Sequence, residues 1–293
     1  MFKLAIITDE VSQDLSRAIS LAKEFGLHGL EIRSVWEKGP HELSDDEVRR
    51  IKQMAEEAGL PICCVASPFF KCDIDSEAEI RRHYDILRRC AEVAHTLGTK
   101  LVRGFAFWRH EREEEPPYDL IARHYEKALR IAEEMDIIIG LENENSTMLT
   151  NARRVVKALQ TMGFPERVKA VWDPQNNFGD PDGERPFPEG YRRIRPHMVH
   201  IHMKDADPKT GEAVPIGEGF VGWREQLSAL LKDGYSGFVS LETHYRPKEA
   251  LPEDIAQLPK GSKFSAGGEE GSRVCLQRLF QILSEIGWKG PQG

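Results

Sequence analysis

Eight short runs of apolar and β-branched residues recur along this chain of 293 residues, and a helical pattern follows each run. Strands that alternate with amphipathic helices form a parallel sheet, because each helix carries the chain back to the edge where the next strand begins. The predicted strands are 3–8, 29–33, 61–66, 100–105, 137–142, 168–173, 197–204 and 237–242. The predicted helices are 14–25, 44–58, 76–97, 118–135, 150–162, a short one near Tyr191, 223–232 and 271–286.

Eight such units favour an α/β fold closed into a single (β/α)8 TIM barrel over an open doubly wound sheet. We expect one domain over residues 1–293, because no break in composition marks a second one. No Gly-x-Gly-x-x-Gly follows the first strand, so a dinucleotide-binding fold loses its main support. The segment 247–268 holds three Pro and three Gly and predicts a long loop before the last helix. It is interpreted either as a lid or as a surface insert.

Composition excludes several classes of protein. Lys and Arg number 40 against 48 Asp and Glu, which gives a formal charge of −8 and disfavours a nucleic-acid-binding surface or a polybasic membrane anchor. No apolar run approaches the length of a membrane span or of a signal peptide, so we expect a cytoplasmic protein. The five cysteines form no Cys-x-x-Cys pair, which predicts free thiols.

Four ligand-type residues stand at the ends of four consecutive strands, the fifth to the eighth: Glu142, Asp173, His202 and Glu242. The active site of such a barrel lies at the carboxyl ends of its strands, so these side chains are predicted to converge. Three carboxylates and one imidazole suit a divalent metal such as Mn, Mg, Co, Fe or Zn. A single acid at a strand end is often a solvated or helix-capping group, but four in succession favour one metal site.

The seventh strand places three chemically active residues on one face. His200, His202 and Lys204 are spaced by two, which in a strand directs their side chains to the same side. We predict His202 as the ligand and His200 as a packed or supporting histidine one layer below. Lys204 is interpreted as a group that binds a substrate oxyanion or transfers a proton, with an ordinary surface lysine as the alternative.

Together these residues resemble the xylose isomerase-like TIM-barrel superfamily, which includes ketose 3-epimerases, inosose dehydratase and endonuclease IV-like nucleases. The resemblance spans nearly the whole chain. It is carried by Thr8-Asp9-Glu10, Gly29-Leu30-Glu31-Ile32-Arg33, Leu141-Glu142-Asn143-Glu144, Trp172-Asp173-Pro174-x-Asn176, His202-x-Lys204-Asp205, Gly217-Glu218-Gly219 and Leu241-Glu242-x-His244.

The resemblance implies that Glu142, Asp173, His202 and Glu242 are the metal ligands. It also implies that Glu142 and Glu242 act as the catalytic acid/base pair across the substrate. Dimers and tetramers are common in the superfamily, so the resemblance is compatible with a homo-oligomer.

Two departures from the superfamily pattern refine this picture. Several relatives carry a histidine where this chain has Asn176, which can bind a sugar hydroxyl but cannot shuttle protons. No histidine closes the third or fourth predicted strand, and the nucleases need such ligands for a three-metal cluster. We therefore expect a small sugar or polyol substrate and no nucleic acid. The residues predicted to contact that substrate are Glu10, Arg33, Asn176, Lys204 and His244.

Three functions remain open on the sequence. The leading hypothesis is a metal-dependent isomerase or epimerase that abstracts a proton beside a metal-bound carbonyl. The alternative is a dehydratase of the inosose or dehydroshikimate type, which needs an additional acid near the leaving hydroxyl, such as Lys204 or His244. A non-catalytic sugar-binding barrel is the third, and the complete ligand set argues against it.

Overall fold

The computed structural model describes residues 1–109, 115–248, 250–257 and 259–291. Eight parallel strands hydrogen-bond in chain order, and the first pairs with the last to close the barrel. The strands are β1 Lys3–Ile7, β2 Gly29–Ile32, β3 Ile62–Phe69, β4 Leu101–Gly104, β5 Ile138–Glu142, β6 Val168–Trp172, β7 Met198–Met203 and β8 Phe238–Leu241. The predicted TIM barrel is confirmed.

A helix follows every strand, as the sequence predicts. The helices are α1 Leu15–Glu24, α2 Asp45–Ala58, α3 Glu77–Leu97, α4 Tyr118–Glu134, α5 Ala152–Thr161, α6 Tyr191–Ile194, α7 Trp223–Lys232, α8 Glu253–Gln257, α9 Gly261–Ser265 and α10 Gly268–Glu285. None of the helices within the described ranges is both long enough and apolar enough to cross a membrane. All five cysteines are free thiols, which confirms that prediction.

Local sequence signals fix the helix ends. At the start of α2, Ser44 Oγ accepts a hydrogen bond from the backbone N–H of Glu47, and the Glu47 carboxylate accepts one from Ser44 N–H. This is the capping box that satisfies the free N–H groups of a first turn. Gly59 and Gly98 end α2 and α3 with left-handed φ angles of 69° and 82°, which a residue without a Cβ adopts at low cost.

Apart from shifts of one or two residues at other element ends, the structure differs from the prediction in two places. Strand β3 continues to Phe69 rather than ending at Ala66, although Pro68 cannot donate a ladder hydrogen bond. The register between β3 and β4 shifts between Val65 and Phe69, and such an irregularity accommodates the proline. The predicted loop 247–268 contains the short helices α8 and α9, and α10 begins at Gly268 instead of Gly271. Residues 249 and 258 of this loop lie outside the described part of the chain.

The parallel order of the strands positions the candidate site. Glu142 is the last residue of β5, Asp173 and Glu242 directly follow β6 and β8, and His202 is the fifth residue of β7. Every strand runs in the same direction, so these positions lie at one rim of the barrel. The Glu242 N–H donates to the Met203 carbonyl at 2.9 Å and so extends the β7–β8 pairing to the site itself.

Helix α10 packs against this rim so closely that Gly268 and Gly271 in its first turn have no room for a Cβ atom. A Cβ atom on Gly271 would lie 2.1 Å from the Tyr245 carbonyl oxygen. We predict that Gly271→Ala lowers stability by about 1–3 kcal/mol through overpacking. Helix propensity alone would make the same change stabilising.

Urea unfolding measures the effect, and Ser284→Ala on the exposed side of the same helix serves as the control. A Gly271→Ala protein as stable as the wild type would show that α10 is not seated on the rim at this distance.

Candidate functional site

The four predicted ligands converge at the carboxyl end of the barrel. Glu142, Asp173, His202 and Glu242 are all buried, and one possible ligand atom from each lies within 4.8 Å of the others. His202 Nδ1 is 2.8 Å from Glu142 Oε1 and 3.6 Å from Glu242 Oε2. The structure therefore brings together, in one buried cluster, the set of side chains that the strand ends predict.

Two oxygens of this cluster lack hydrogen bonds from any residue that the structure describes, Glu142 Oε2 and Asp173 Oδ2. Lys204 Nζ lies 2.8 Å from Asp173 Oδ2, and Arg103 Nη1 lies 3.4 Å from Glu142 Oε2, but neither forms a hydrogen bond there. Buried polar atoms normally have a partner. Carboxylate oxygens left over beside an imidazole nitrogen fit the coordination shell of a hard or borderline divalent cation.

Burial and the charges of neighbouring cations or carboxylates shift the pKa values of these groups in opposite directions. Burial raises the pKa of Asp173 to about 8, although Lys204 opposes the shift, and Glu242 and Glu142 add to it. Burial alone would lower the pKa of His202, but Glu142 and Glu31 hold it well above its ordinary value. A divalent cation bound there would compete with protons for these ligand atoms.

Glu31 in β2 supports the cluster from below. Its carboxylate accepts a hydrogen bond from His202 Nε2 at 3.0 Å and another from His200 Nε2 at 2.8 Å. Burial would raise the pKa of Glu31, but the two histidines hold it well below the usual range. His200 therefore lies beneath His202, as predicted. Glu31 turns the Nδ1 side of His202 towards the other three ligands.

The site role of Glu31 is not predicted from the sequence. It shares a strand face with Arg33, two residues on, and an acid in the middle of an otherwise apolar strand needs a buried partner. The buried acid therefore indicates that a partner exists, but nothing in one sequence identifies that partner as a histidine on β7.

Arg33 is surrounded by carboxylates. Its Nη1 donates to Glu242 Oε1 at 2.5 Å, its Nη2 to Glu10 Oε1 at 2.6 Å, and its Nε to Asp9 Oδ1 at 3.1 Å. Burial would raise the pKa of Glu242, but Lys204, His244 and Arg33 hold it well below its usual range. The role in substrate binding predicted for Arg33 stays a prediction, and every nitrogen of its guanidinium already contacts a carboxylate of the protein.

Glu10 and His244 meet on the same side. The backbone N–H of His244 donates to Glu10 Oε2 at 3.0 Å, and the ring nitrogen Nε2 of His244 lies 3.4 Å from both Glu10 Oε1 and Glu242 Oε1. The backbone of His244 is left-handed, with φ of 44°, which is uncommon for a residue other than glycine. Arg246 Nη2 lies 3.5 Å from Glu10 Oε2 and adds a second arginine to this carboxylate.

Asn176 is anchored by the backbone of the neighbouring strand. Its side-chain N–H donates to the Asn143 carbonyl at 2.9 Å. The Asn143 side chain in turn accepts from Asp173 N–H at 2.9 Å and donates to the Asp173 carbonyl at 2.7 Å. These amides tie the ends of β5 and β6 together beside the four ligands.

A cleft of about 990 Å³ opens above the cluster. Of the residues predicted to bind substrate, Asn176, Lys204 and His244 line it, whereas Glu10 and Arg33 do not. Lys71 and Arg103 also line the cleft, although neither is among the site residues predicted from the sequence. Part of the predicted loop forms one wall through Leu251 and Pro259, and it is fixed to the barrel by Ser265 Oγ, which donates to the Asp9 carbonyl at 2.7 Å.

Comparison with known proteins places this architecture among described families. A model of the family described as a xylose isomerase-like TIM barrel matches residues 19–263. The 2-epi-5-epi-valiolone 7-phosphate 2-epimerase of Actinoplanes sp. is 26% identical over 220 residues, which cover 73% of this chain and 76% of that protein. The inosose dehydratase of Klebsiella pneumoniae is 23% identical over 159 residues, or 48% of this chain and 52% of that protein.

Solved structures share the fold at lower identity. The D-allulose 3-epimerase of Methylomonas sp. in complex with D-allulose has a TM-score of 0.72 and 14% identity, and the match covers 96% of this chain and 97% of that one. An L-ribulose 3-epimerase has a TM-score of 0.68 and 16% identity over 100% of both chains. At these identities the structures establish the fold alone.

The arginine at the centre of the carboxylates generates a prediction on stability. We expect Arg33→Met to lower the free energy of unfolding by about 3–5 kcal/mol at pH 7, because three buried carboxylates lose their shared counter-charge. Burial would raise the pKa of Glu10, but His244, Arg33 and Arg246 lower it below its ordinary value in the native protein. Such groups stabilise the native state above the pKa of the unfolded chain and lose that contribution as pH falls.

The difference in the free energy of unfolding between the wild type and Arg33→Met is therefore largest at neutral pH and becomes smaller as the pH falls towards 4. Urea unfolding in EDTA-containing buffer at several pH values measures it. Arg224→Met, which removes an exposed ion pair with Glu285, is the matched control and is expected to cost less than about 1 kcal/mol. An equal deficit at all pH values would contradict the electrostatic explanation.

Proposed function

Because this chain belongs to the family of xylose isomerase-like TIM barrels, we propose that it is a divalent-metal-dependent epimerase or isomerase of a small sugar, ketose or polyol derivative. The proposed reaction begins when a carboxylate removes a proton from the carbon beside a carbonyl group. Relatives named as epimerases and as a dehydratase support this reaction class.

The observation that carries the proposal is the convergence of four buried ligand-type side chains below an open cleft. Glu142, Asp173, His202 and Glu242 would hold one Mn, Mg, Co, Fe or Zn ion. A divalent cation bound there acts as a Lewis acid, which polarises the substrate carbonyl and acidifies the neighbouring C–H bond.

The two glutamates are the proposed acid and base. Glu142 belongs to β5 and Glu242 follows β8, so the two approach the cluster from strands three positions apart in the barrel. One glutamate removes the proton and the other returns one. Return to the opposite face of the same carbon gives an epimer, whereas return to the neighbouring carbon gives a shifted carbonyl.

Lys204 and Asn176 are the proposed groups that orient the substrate. Burial would lower the pKa of Lys204, but Asp173 and Glu242 raise it, so the ammonium group stays charged in the cleft. Its Nζ lies 3.1 Å from Glu242 Oε2, where it stabilises negative charge on that glutamate and on a substrate oxygen beside it. The polar side chain of Asn176 suits a sugar hydroxyl.

A dehydratase remains the second candidate, and the observation that favours it is His244. Its buried Nε2 has no hydrogen-bond partner among the described residues and its side chain lines the cleft. An imidazole in that position can protonate a leaving hydroxyl after the first proton is removed. Dehydration would produce an enone absorbance, whereas epimerisation would exchange the C–H proton without loss of water.

The proposed acid/base pair predicts how proton exchange responds to mutation. In D2O with added Mn²⁺, the wild type should incorporate deuterium at the carbon beside the carbonyl of a ketose such as D-allulose or D-fructose. Glu142→Gln and Glu242→Gln should each slow this exchange about 10²–10⁴-fold, because an amide cannot accept the proton. Mass spectrometry measures the deuterium, and Glu225→Gln on the exposed side of α7 is the control.

Exchange at the wild-type rate in both variants would show that the glutamates are not the acid and base. No exchange in the wild type with any ketose, inosose or sugar acid would contradict the proposed function itself.

The support that Glu31 gives His202 predicts an effect on metal affinity. Glu31→Gln should weaken Mn²⁺ binding about 10–100-fold, which is typical when the hydrogen-bond partner of a histidine ligand is lost. Glutamine offers one acceptor oxygen, whereas the carboxylate accepts from both His200 and His202. Isothermal titration with Mn²⁺ measures the affinity, again beside Glu225→Gln, and equal affinities would exclude this supporting role.

A further inference from the structure

Two cations stand together on the wall of the cleft formed by β3 and β4. Lys71 directly follows the turn after β3, and Arg103 is the third residue of β4. Lys71 Nζ lies 4.5 Å and Arg103 Cζ 4.8 Å from the centre of the Phe105 ring, so the same aromatic side chain supports both. Both side chains line the cleft, and each is about 6% exposed.

The guanidinium of Arg103 is poorly satisfied. Within the described residues its oxygen neighbours are the Ser67 and Ala66 carbonyls and Glu142 Oε2, and each lies 3.4 Å away. The carboxylate contacts of Arg33 are 2.5–3.2 Å long by comparison. A guanidinium has five N–H donors, and burial without close acceptors is unfavourable. The position of Arg103 is explained if a further anionic group enters the cleft.

The turn that carries Lys71 is held in place by the protein. His83 Nδ1 in α3 accepts a hydrogen bond of 2.9 Å from the Phe70 N–H, and Phe70 has a left-handed φ of 61°. Lys71 Nζ donates to the Gln257 carbonyl at 3.0 Å and to Glu144 Oε2 at 3.3 Å. The ammonium group is thus fixed beside the cleft rather than free in solvent.

We infer that Arg103 and Lys71 form an anion-binding subsite, and that the substrate is a sugar carrying a phosphate monoester or a carboxylate. The inference rests on the proposed function and narrows its substrate class. Arg103 Nη1 is 3.4 Å from Glu142 Oε2, so the subsite adjoins the four-residue cluster. The carbonyl end of the substrate meets that cluster, and its anionic end faces the two cations.

The chemistry of the pair matches such a group. Arginine presents a planar fork that binds a carboxylate or a phosphate through two parallel hydrogen bonds, and lysine adds a compact positive charge. A neutral hydroxyl needs one hydrogen bond and gains little from two adjacent cations. The competing explanation is that Arg103 and Lys71 merely balance the charges of Glu142 and Glu144.

Three ketoses that differ at one carbon test the inference: D-fructose, D-fructose 6-phosphate and D-fructuronate. Deuterium exchange in the Mn²⁺-loaded enzyme is followed by mass spectrometry. We expect kcat/KM for one of the two anionic sugars to exceed that for D-fructose at least about 10-fold, and the better anion identifies the group. Arg103→Gln and Lys71→Gln should lower kcat/KM for that anion about 10–100-fold more than for D-fructose, chiefly through KM.

Arg103→Lys should retain part of the kcat/KM for the anionic sugar that Arg103→Gln loses, because lysine keeps the positive charge but lacks the planar guanidinium. Lys248→Gln, which removes an exposed cleft cation paired with Glu270, is the matched control and should not change the preference. Equal kcat/KM for the three sugars, or an equal loss for all of them in Arg103→Gln, would overturn the subsite and leave the proposed function standing.

A binding measurement distinguishes failure of the anion-binding subsite from failure of the proposed function. Isothermal titration with inorganic phosphate should show saturable binding to the wild type that Arg103→Gln weakens at least about 10-fold. If no sugar exchanges deuterium, the proposed function fails, and phosphate binding alone decides the subsite. Absence of phosphate binding together with no preference for an anionic sugar overturns it.

Discussion

The balance of charge at the carboxyl end of the barrel is the constraint on which the rest of this site depends. Six of the carboxylates buried there are Asp9, Glu10, Glu31, Glu142, Asp173 and Glu242. Removing a carboxylate from water is costly unless opposite charges and hydrogen-bond donors surround it. Arg33 compensates three of them, the two histidines compensate Glu31, and Lys204 lies between Asp173 and Glu242. Among the described residues, hydrogen bonding rather than charge is least complete at Glu142 Oε2 and Asp173 Oδ2, which is where the proposed cation would bind.

The compensation also differs between the two sides of the barrel. On the side of β1, β2 and β8, Arg33 and Arg246 are enclosed by short contacts, and α10 packs onto the rim without space for a Cβ. On the side of β3 and β4, Arg103 borders the cleft with contacts of 3.4 Å, and Lys71 lines the cleft beside it. One side is therefore a rigid support, and the other has donors available to a ligand. This division is common in TIM barrels, in which the strand ends hold the catalytic groups and the loops that follow them determine substrate specificity.

The barrel and the four-residue cluster can be predicted from the sequence because both depend on the order of the strands along the chain. Parallel strands end at the same rim, so Glu142, Asp173, His202 and Glu242 could be brought together without knowing any distance. Glu31, Asp9 and Arg103 were missed because their partners lie on other strands, and side-chain pairing across a closed barrel is not written in local spacing. Arg33 illustrates the same difficulty. Its place after β2 predicts contact with substrate, but in the closed barrel its guanidinium is surrounded by carboxylates from other strands. The short helices α8 and α9 cannot be predicted from the sequence because five residues carry too little periodicity.

The two glutamates of the proposed acid/base pair are not equivalent. Both oxygens of Glu242 are engaged, Oε1 by Arg33 at 2.5 Å and Oε2 by Lys204 at 3.1 Å, and its pKa lies well below its usual range because these cations and His244 outweigh the effect of burial. Glu142 accepts a hydrogen bond from His202 at Oε1, whereas its Oε2 accepts none from the described residues. Glu142 thus has fewer protein hydrogen bonds to lose than Glu242 before it accepts a proton, as long as the cation does not occupy Oε2. In the proposed reaction Glu142 is therefore the better placed of the two to remove the proton, and Glu242 must loosen its contacts with Arg33 or Lys204 before it can do so in the reverse direction.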